Sequence, residues 1–394
     1  NNHIGDSMRI LLYDWSQNST YINRQDVHDV FRQLGIEFDS VLFDFEKQDI
    51  AELENFFKGI SADKYDFCFS INYFPEISML CNANNIKYIS WGYDCPFNVR
   101  DIEKTLGNPC NYVFCFDRIQ AQAYRNQGFD TVYHLPLGIN AKRYENIRLS
   151  SEQSSKYGSQ VSFIGSLYEG QYPAITEIST DYAKGYMDAV INSQLQLYGA
   201  YILNDVIDKR FVEAMNKHFK ELQPDTKFQL DKAALVHVLD QETSRRERLL
   251  LLNLLGNRFD TKLYSRQDYS VLRGVQCIGP VDYYSEMPYV FAASDINLNI
   301  SVKGIQSGVP QRAFDILASG GFLLSNYQQE LVELFSYGEE MVVYESLEDA
   351  VEKCNFYLSN QELRGKIARK GRERVLTEHN MVDKIRYMMD VAEV

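Results

Sequence analysis

Short apolar runs alternate along the first part of the chain with longer stretches whose apolar residues recur every three or four positions. Arg9-Ile10-Leu11-Leu12-Tyr13 reads as a strand ending at Asp14, and the polar loop Ser16–Asn23 follows. Val27, Val30, Phe31 and Leu34 fall at helical spacing, and Gly35 closes that helix. Val41–Phe43, Phe67–Ile71, Tyr88–Trp91, Tyr112–Phe116 and Val132–Leu135 are the next strands, with helices at Ile50–Ile60 and ending near Asn85. Strands alternating with helices predict βαβ units, a parallel sheet, and all strand C-termini on one edge.

Between Asn140 and Ser159 the chain turns polar and reads as an interdomain linker. A strand restarts at Gln160–Gly165. Residues 173–255 hold no strand pattern and read as a helical insertion. Alternation resumes with strands at Phe259–Tyr264, Val275–Ile278, Asp295–Ile300, Phe322–Ser325 and Met341–Tyr344. In Asp295–Ile300 an Ile-Leu-Ile side faces a core and an Asn side is polar. Ser346 with Asp349 reads as a capping box. The expected fold class is α/β, with two facing Rossmann-like, doubly wound lobes. The first covers 8–150 and the second 151–380, with the insertion at 173–255. A last helix, 381–394, is expected to cross back to the first lobe.

The 394 residues and 45% hydrophobic content suit two such domains. A net charge of -14 and a pI of about 5.0 argue against nucleic-acid binding. Six scattered histidines make a metal site a poor expectation. The seven cysteines are odd in number and form no C-x-x-C pair, so they read as buried free thiols. No apolar run is long enough to span a membrane, and a cytoplasmic protein is expected. The polar Asn1–Ser7 reads as a non-native leader, with native sequence from Met8.

Candidate chemistry concentrates at Asp295–Asn326: strand, loop, helix, Gly320-Gly321, strand. The loop Lys303-Gly304-Ile305-Gln306-Ser307-Gly308-Val309-Pro310 feeds a helix N-terminus, which attracts anions. Lys303 and Arg312 add cations for a diphosphate. Asp315, one turn into the helix, suits ribose hydroxyls. The plainer reading is a crossover with an Arg312–Asp315 surface ion pair.

Gly308, Pro310, Arg312, Phe314 and Asp315, followed by Ala318-Ser319-Gly320-Gly321, form a pattern that resembles the CgeB-like (spore-maturation-protein-like) bacterial glycosyltransferases. Trp91-Gly92-Tyr93-Asp94-Cys95-Pro96 resembles a first-lobe segment of a subgroup, and Ser346–His379 resembles the family's end. The resemblance implies a GT-B fold and transfer of a sugar from a nucleoside-diphosphate-sugar to a hydroxyl on a protein, glycan or small molecule. UDP is the expected carrier. No metal or other cofactor is implied, because amides, helix dipole and cations neutralise the diphosphate.

By position, Asp315 would hold the ribose. Ser307, Gly308, Arg312 and Lys303 would lie near the diphosphate, Gly165 and Ser166 would border the phosphates, and Val281 would sit near the base. One of Arg245, Arg246 and Arg248, expected at a helix start, would reach the diphosphate unless they form a solvated face. Many retaining GT-B enzymes carry two glutamates separated by seven residues. The second falls at Asp315, but the first falls at Ser307, so that carboxylate is missing. For an inverting reaction the base would be Asp14 or Asp94, each after a strand; the alternatives are a helix cap and an Asx turn. His134 is expected to pack at a strand end, and Trp15, Tyr93 and Tyr168 are stacking candidates. The competing functional class is a non-catalytic nucleotide-sugar-binding or accessory module.

Overall fold

Most strands of this chain are near-continuous apolar runs, because a parallel sheet covered by helices buries both of its faces. The computed structural model describes residues 8–14, 24–44, 49–60, 62–97, 99, 101–267 and 270–394. In its first part, β1 (Arg9–Asp14), β2 (Glu37–Leu42), β3 (Phe67–Ile71), β4 (Lys87–Trp91), β5 (Asn111–Cys115) and β6 (Val132–His134) form one sheet. The order is β2-β1-β3-β4-β5-β6 and every pairing is parallel. β2 begins at Glu37, ahead of the apolar Val41–Phe43. It is an edge strand whose first half is partly solvated, so apolarity does not mark its start.

The second sheet contains β7 (Ser159–Ile164), β8 (Thr261–Tyr264), β9 (Val275–Cys277), β10 (Ser294–Asn299), β11 (Leu323–Asn326) and β12 (Val342–Tyr344). Its order is β12-β11-β10-β7-β8-β9, again all parallel. The Asn side of β10 is polar but dry. Asn297 and Asn299 are fully buried; Asn297 accepts from Ser162 Oγ at 2.8 Å, and Asn299 donates to Ser325 Oγ at 2.9 Å. Hydrogen bonds between neighbouring strands thus satisfy amides that the alternation alone leaves facing solvent.

The chain forms two compact units. One holds the described residues up to Asn146 with Gly308–Ala318 and Glu373–Val394. The other holds Ile147–Ser307 and Ser319–Arg372. The contacts therefore group the helix Gln311–Ala318 and the last helix, Met381–Ala392, with the first sheet, where Met381–Ala392 packs on β4, β5 and the helix Arg24–Gln33.

The crossover from β7 to β8 contains the helices Tyr172–Glu177, Asp181–Leu195, Leu203–Val206, Lys209–Leu222 and Lys232–Gly256. They share a core around Met187, Ile191, Leu203, Leu235 and Leu239. The 25-residue Lys232–Gly256 serves two cores, because its later Leu251, Leu252 and Leu255 enter the core of the second sheet.

The boundary between the units, Asn146/Ile147, falls in the polar stretch Asn140–Ser159 expected as a linker. That stretch also holds a helix, Ser151–Tyr157, with a full Ser150/Gln153 capping box and a buried Tyr157. At Ser346 only half of the box forms. Asp349 N–H donates to Ser346 Oγ, but the Asp349 carboxylate accepts from Glu345 N–H instead of Ser346 N–H. The cysteines are all free; Cys68, Cys81, Cys110, Cys115 and Cys354 are buried, Cys95 is half-buried and Cys277 is exposed. Ser150→Ala is expected to lower stability by about 1 kcal/mol in denaturant unfolding. An unchanged midpoint would mean that the cap supports nothing.

Candidate functional site

In the second sheet the strand order reverses between β7 and β10. Such a reversal opens a crevice at the C-terminal edge, the usual ligand position in doubly wound folds. A cavity of about 390 Å³ lies on the same C-terminal edge, beside the reversal, at the ends of β7 and β8. Gly165 and Ser166 enter it from the end of β7, Ser265, Arg266 and Gln267 from the end of β8, and Pro280 and Val281 from beyond β9. Gly165, Ser166 and Val281 were expected from sequence to share a site, and they share this one. Ser265, Arg266 and Gln267 were missed. The signal was available, since they directly follow a recognised strand at the same sheet edge.

The β7 loop is held in detail. Gly165 N–H donates to Tyr264 O at 3.1 Å. Ser166 Oγ accepts from Tyr168 N–H at 3.0 Å and donates to Gln267 Oε1 at 3.3 Å. Tyr168 has a φ of 55°, a conformation that a bulky side chain adopts only when its surroundings impose it.

The arginine trio lies in the middle of Lys232–Gly256, not at a helix start, because that helix begins within the insertion core. Arg245 is 3.6 Å from Glu242. Arg246 bridges Asp188 at 2.7 Å and Glu242 at 2.8 Å. Arg248 is buried and donates to Ser166 O and Ile300 O, each at 2.5 Å.

The loop after β10 is anchored by buried charge. Lys303 is 8% exposed; its Nζ lies 3.4 Å from Glu247 and 3.7 Å from the Tyr198 ring centre. Ser307 Oγ donates to Glu330 Oε1 at 2.8 Å, and Glu330 N–H donates to Ser307 O at 2.9 Å. A carboxylate from another element thus sits beside the position where the motif lacks one. Lys303 and Ser307 lie outside the cavity lining. Burial pushes the pKa of Asp240 up to about 7, with the Gly304 amide, Lys303 and Arg248 nearby pulling it back.

Gly308, Arg312 and Asp315 group with the first sheet. Gly308 N–H donates to Asp117 Oδ2 at 3.0 Å, and a Cβ there would lie 2.8 Å from Phe116. The glycine is required by this approach to Phe116 and Asp117. Asp315 is buried, not on the surface, and accepts from Tyr144 Oη at 2.9 Å and Gln311 Nε2 at 3.0 Å. Arg312 is half-buried.

At the first sheet's C-terminal edge, Asp14 ends β1 and is buried, 3.2 Å from Arg24 and 3.3 Å from His28. Asp94 follows β4. Asn72, just past β3, donates to the Asp94 carboxylate at 2.6 Å and accepts Tyr93 N–H at 2.7 Å and Asp94 N–H at 3.1 Å. Asp94 is solvent-accessible, yet neighbouring atoms displace enough water to raise its pKa, with Asn72 partly offsetting this. Asn72 was missed from sequence; its φ of 64° suits Asn at a sharp strand exit. Tyr93 packs edge-on against Trp91, and His134 is half-buried at the end of β6. Trp15 lies outside the described residues.

Residues 234–390 match the family described as glycosyl transferase-like. A glycosyltransferase from Rickettsia africae is 11% identical with a TM-score of 0.57, covering 99% of this chain and 98% of that one. HepE from Anabaena, solved in complex with UDP and glucose, is 10% identical with a TM-score of 0.54, covering 98% and 99%. WaaG, a glycosyltransferase of lipopolysaccharide biosynthesis, is 10% identical with a TM-score of 0.53, covering 95% and 98%. No curated protein matches the chain by sequence.

The fold is GT-B. Within its second lobe, Asp240 generates a test. Its folded pKa, about 7, exceeds the ordinary 3.8. Between these values the folded GT-B chain holds a proton that the unfolded chain has lost, so its contribution is full below about pH 4 and disappears as pH rises through 7. Thermal melts are expected to show wild type losing stability relative to Asp240→Asn from about pH 4 to 7, with a constant difference above. Parallel melting curves across that range would remove the raised pKa.

Proposed function

We propose that the chain transfers a sugar from a nucleoside-diphosphate-sugar, with UDP as carrier, to a hydroxyl of a protein, glycan or small molecule. The cavity formed by the ends of β7 and β8 and by Pro280-Val281 carries this reading. It has a volume suited to a small ligand and joins apolar lining to a few convergent polar groups. The base would lie by Val281, with Pro280 as its apolar neighbour. Gly165, Ser166 and Arg266 would face ribose and phosphates. The match of 234–390 to a glycosyl transferase-like family supports transfer, and the UDP complex of HepE supports the choice of carrier.

Transfer breaks the bond between the anomeric carbon and the diphosphate oxygen, which leaves with the electron pair. The acceptor oxygen forms the new bond and gives up its proton. The proposed reaction needs no metal, with Arg266 at the cavity and the loop amides stabilising the departing diphosphate. Of the two aspartates, Asp94 is the better base if the outcome is inversion. Its raised pKa improves proton uptake, and Asn72 orients its carboxylate. Asp14 already faces Arg24 and His28. No helix among the described residues is long and apolar enough to cross a membrane. We assign the reaction to the cytoplasm, where nucleotide-sugar would be drawn.

Isothermal titration with UDP and single-turnover assays with UDP-sugars test the proposal. Val281→Trp and Arg266→Ala are expected to weaken UDP by roughly tenfold or more. Asp94→Asn is expected to keep UDP affinity and lose donor turnover. UDP binding unaffected by both cavity variants would refute the site. Binding without turnover of any donor would favour the non-catalytic module, for which the Asp117, Tyr144 and Glu247 partners of Gly308, Asp315 and Lys303 already speak.

A further inference from the structure

Arg248 is 2% exposed in the middle of a helix that serves two cores. A buried guanidinium is costly unless its charge and donors are met. Its two terminal nitrogens each donate to a backbone carbonyl, Ser166 O and Ile300 O. One carbonyl follows the end of β7 and the other follows the end of β10, the pair of strands across which the sheet order reverses. The guanidinium carbon lies 4.8 Å from the Tyr168 ring centre and 5.2 Å from that of Phe163. Both rings thus present faces to the cation.

Carbonyl dipoles and ring faces solvate this charge without neutralising it. Among the described residues no carboxylate stands within ion-pair distance of Arg248. Asp240 is the carboxylate that feels it, and burial favours the protonated form of Asp240. Lys303, in the same region, is matched by Glu247. The positive field of Arg248 therefore survives, and the wall in front of it is Ser166, which lines the cavity.

We infer that Arg248 is a positioning residue that fixes the Gly165–Ser166 wall and places a buried positive charge behind it, selecting anionic nucleotides over uncharged nucleosides. The inference rests on reading the cavity as a nucleoside-diphosphate site. Arg248 touches no ligand in this account. It acts through the Ser166 carbonyl, through Tyr168 stacked on its face, and through its field.

The test is calorimetry of UDP and uridine with wild type, Arg248→Gln and Arg248→Lys, with thermal melts of each. Gln keeps an amide donor for a carbonyl and removes the charge. For Arg248→Gln, UDP affinity is expected to fall about tenfold while uridine stays within about twofold, since only UDP senses the lost charge. Arg248→Lys keeps the charge and is expected to retain most of the UDP preference, which also serves if Gln prevents folding. Equal weakening of UDP and uridine in Arg248→Gln would show a wall support only and overturn the inference, as would no change in either. If wild type binds neither ligand, the nucleotide reading itself fails. If wild type prefers UDP and Arg248→Gln keeps that preference, only the Arg248 inference fails.

Discussion

Where a doubly wound sheet reverses its strand order, the two central strands send their connections to opposite faces, and the edge between their C-termini is left open. In the second sheet this happens between β7 and β10, and in the first between β1 and β3. Most candidate groups among the described residues gather near those edges. The Arg248 bridge and the Lys303 loop belong to one, with the cavity beside it at the ends of β7 and β8. Asp14 ends β1 and Asn72 follows β3 at the other, with Asp94 after the neighbouring β4. The helices covering both faces bury the rest of each sheet, which leaves strand ends as the places where polar groups can converge.

The chain is strongly acidic, yet it buries two cations beside the second sheet's open edge. They are used differently. Lys303 is paired with Glu247 and stacked on Tyr198, so it ties the β10 loop to Lys232–Gly256 without leaving much field outside. Arg248 is met by dipoles and ring faces, so its charge remains effective. The helical insertion is therefore more than added length. Its longest helix carries Asp240, Glu247 and Arg248 to the loops of the site.

The strands were legible because buried parallel strands are short apolar runs, and the insertion was legible because it lacks them. The fold class followed from their alternation. Polar partners were far less legible. Nothing local tells that the Gly308 amide serves Asp117, or that Asp315 serves Tyr144, residues 191 and 171 positions away. The Ser150/Gln153 capping box was readable but was masked by the polarity around it. The arginine trio was misplaced because a helix crossing from one core into another changes its apolar face midway and hides its own start. Gly165, Ser166 and Val281 were placed by the family resemblance and line one cavity, and Arg266 was not singled out because the strand-edge rule was not carried to β8.

The proposed nucleotide site is the second sheet's cavity. Photocrosslinking with a uracil-modified azido-UDP, followed by peptide mapping, tests it most directly. Labelling is expected in the segments around Ser265–Gln267 and Pro280-Val281, suppressed by excess UDP. Competable labelling confined to residues 8–146 would contradict it.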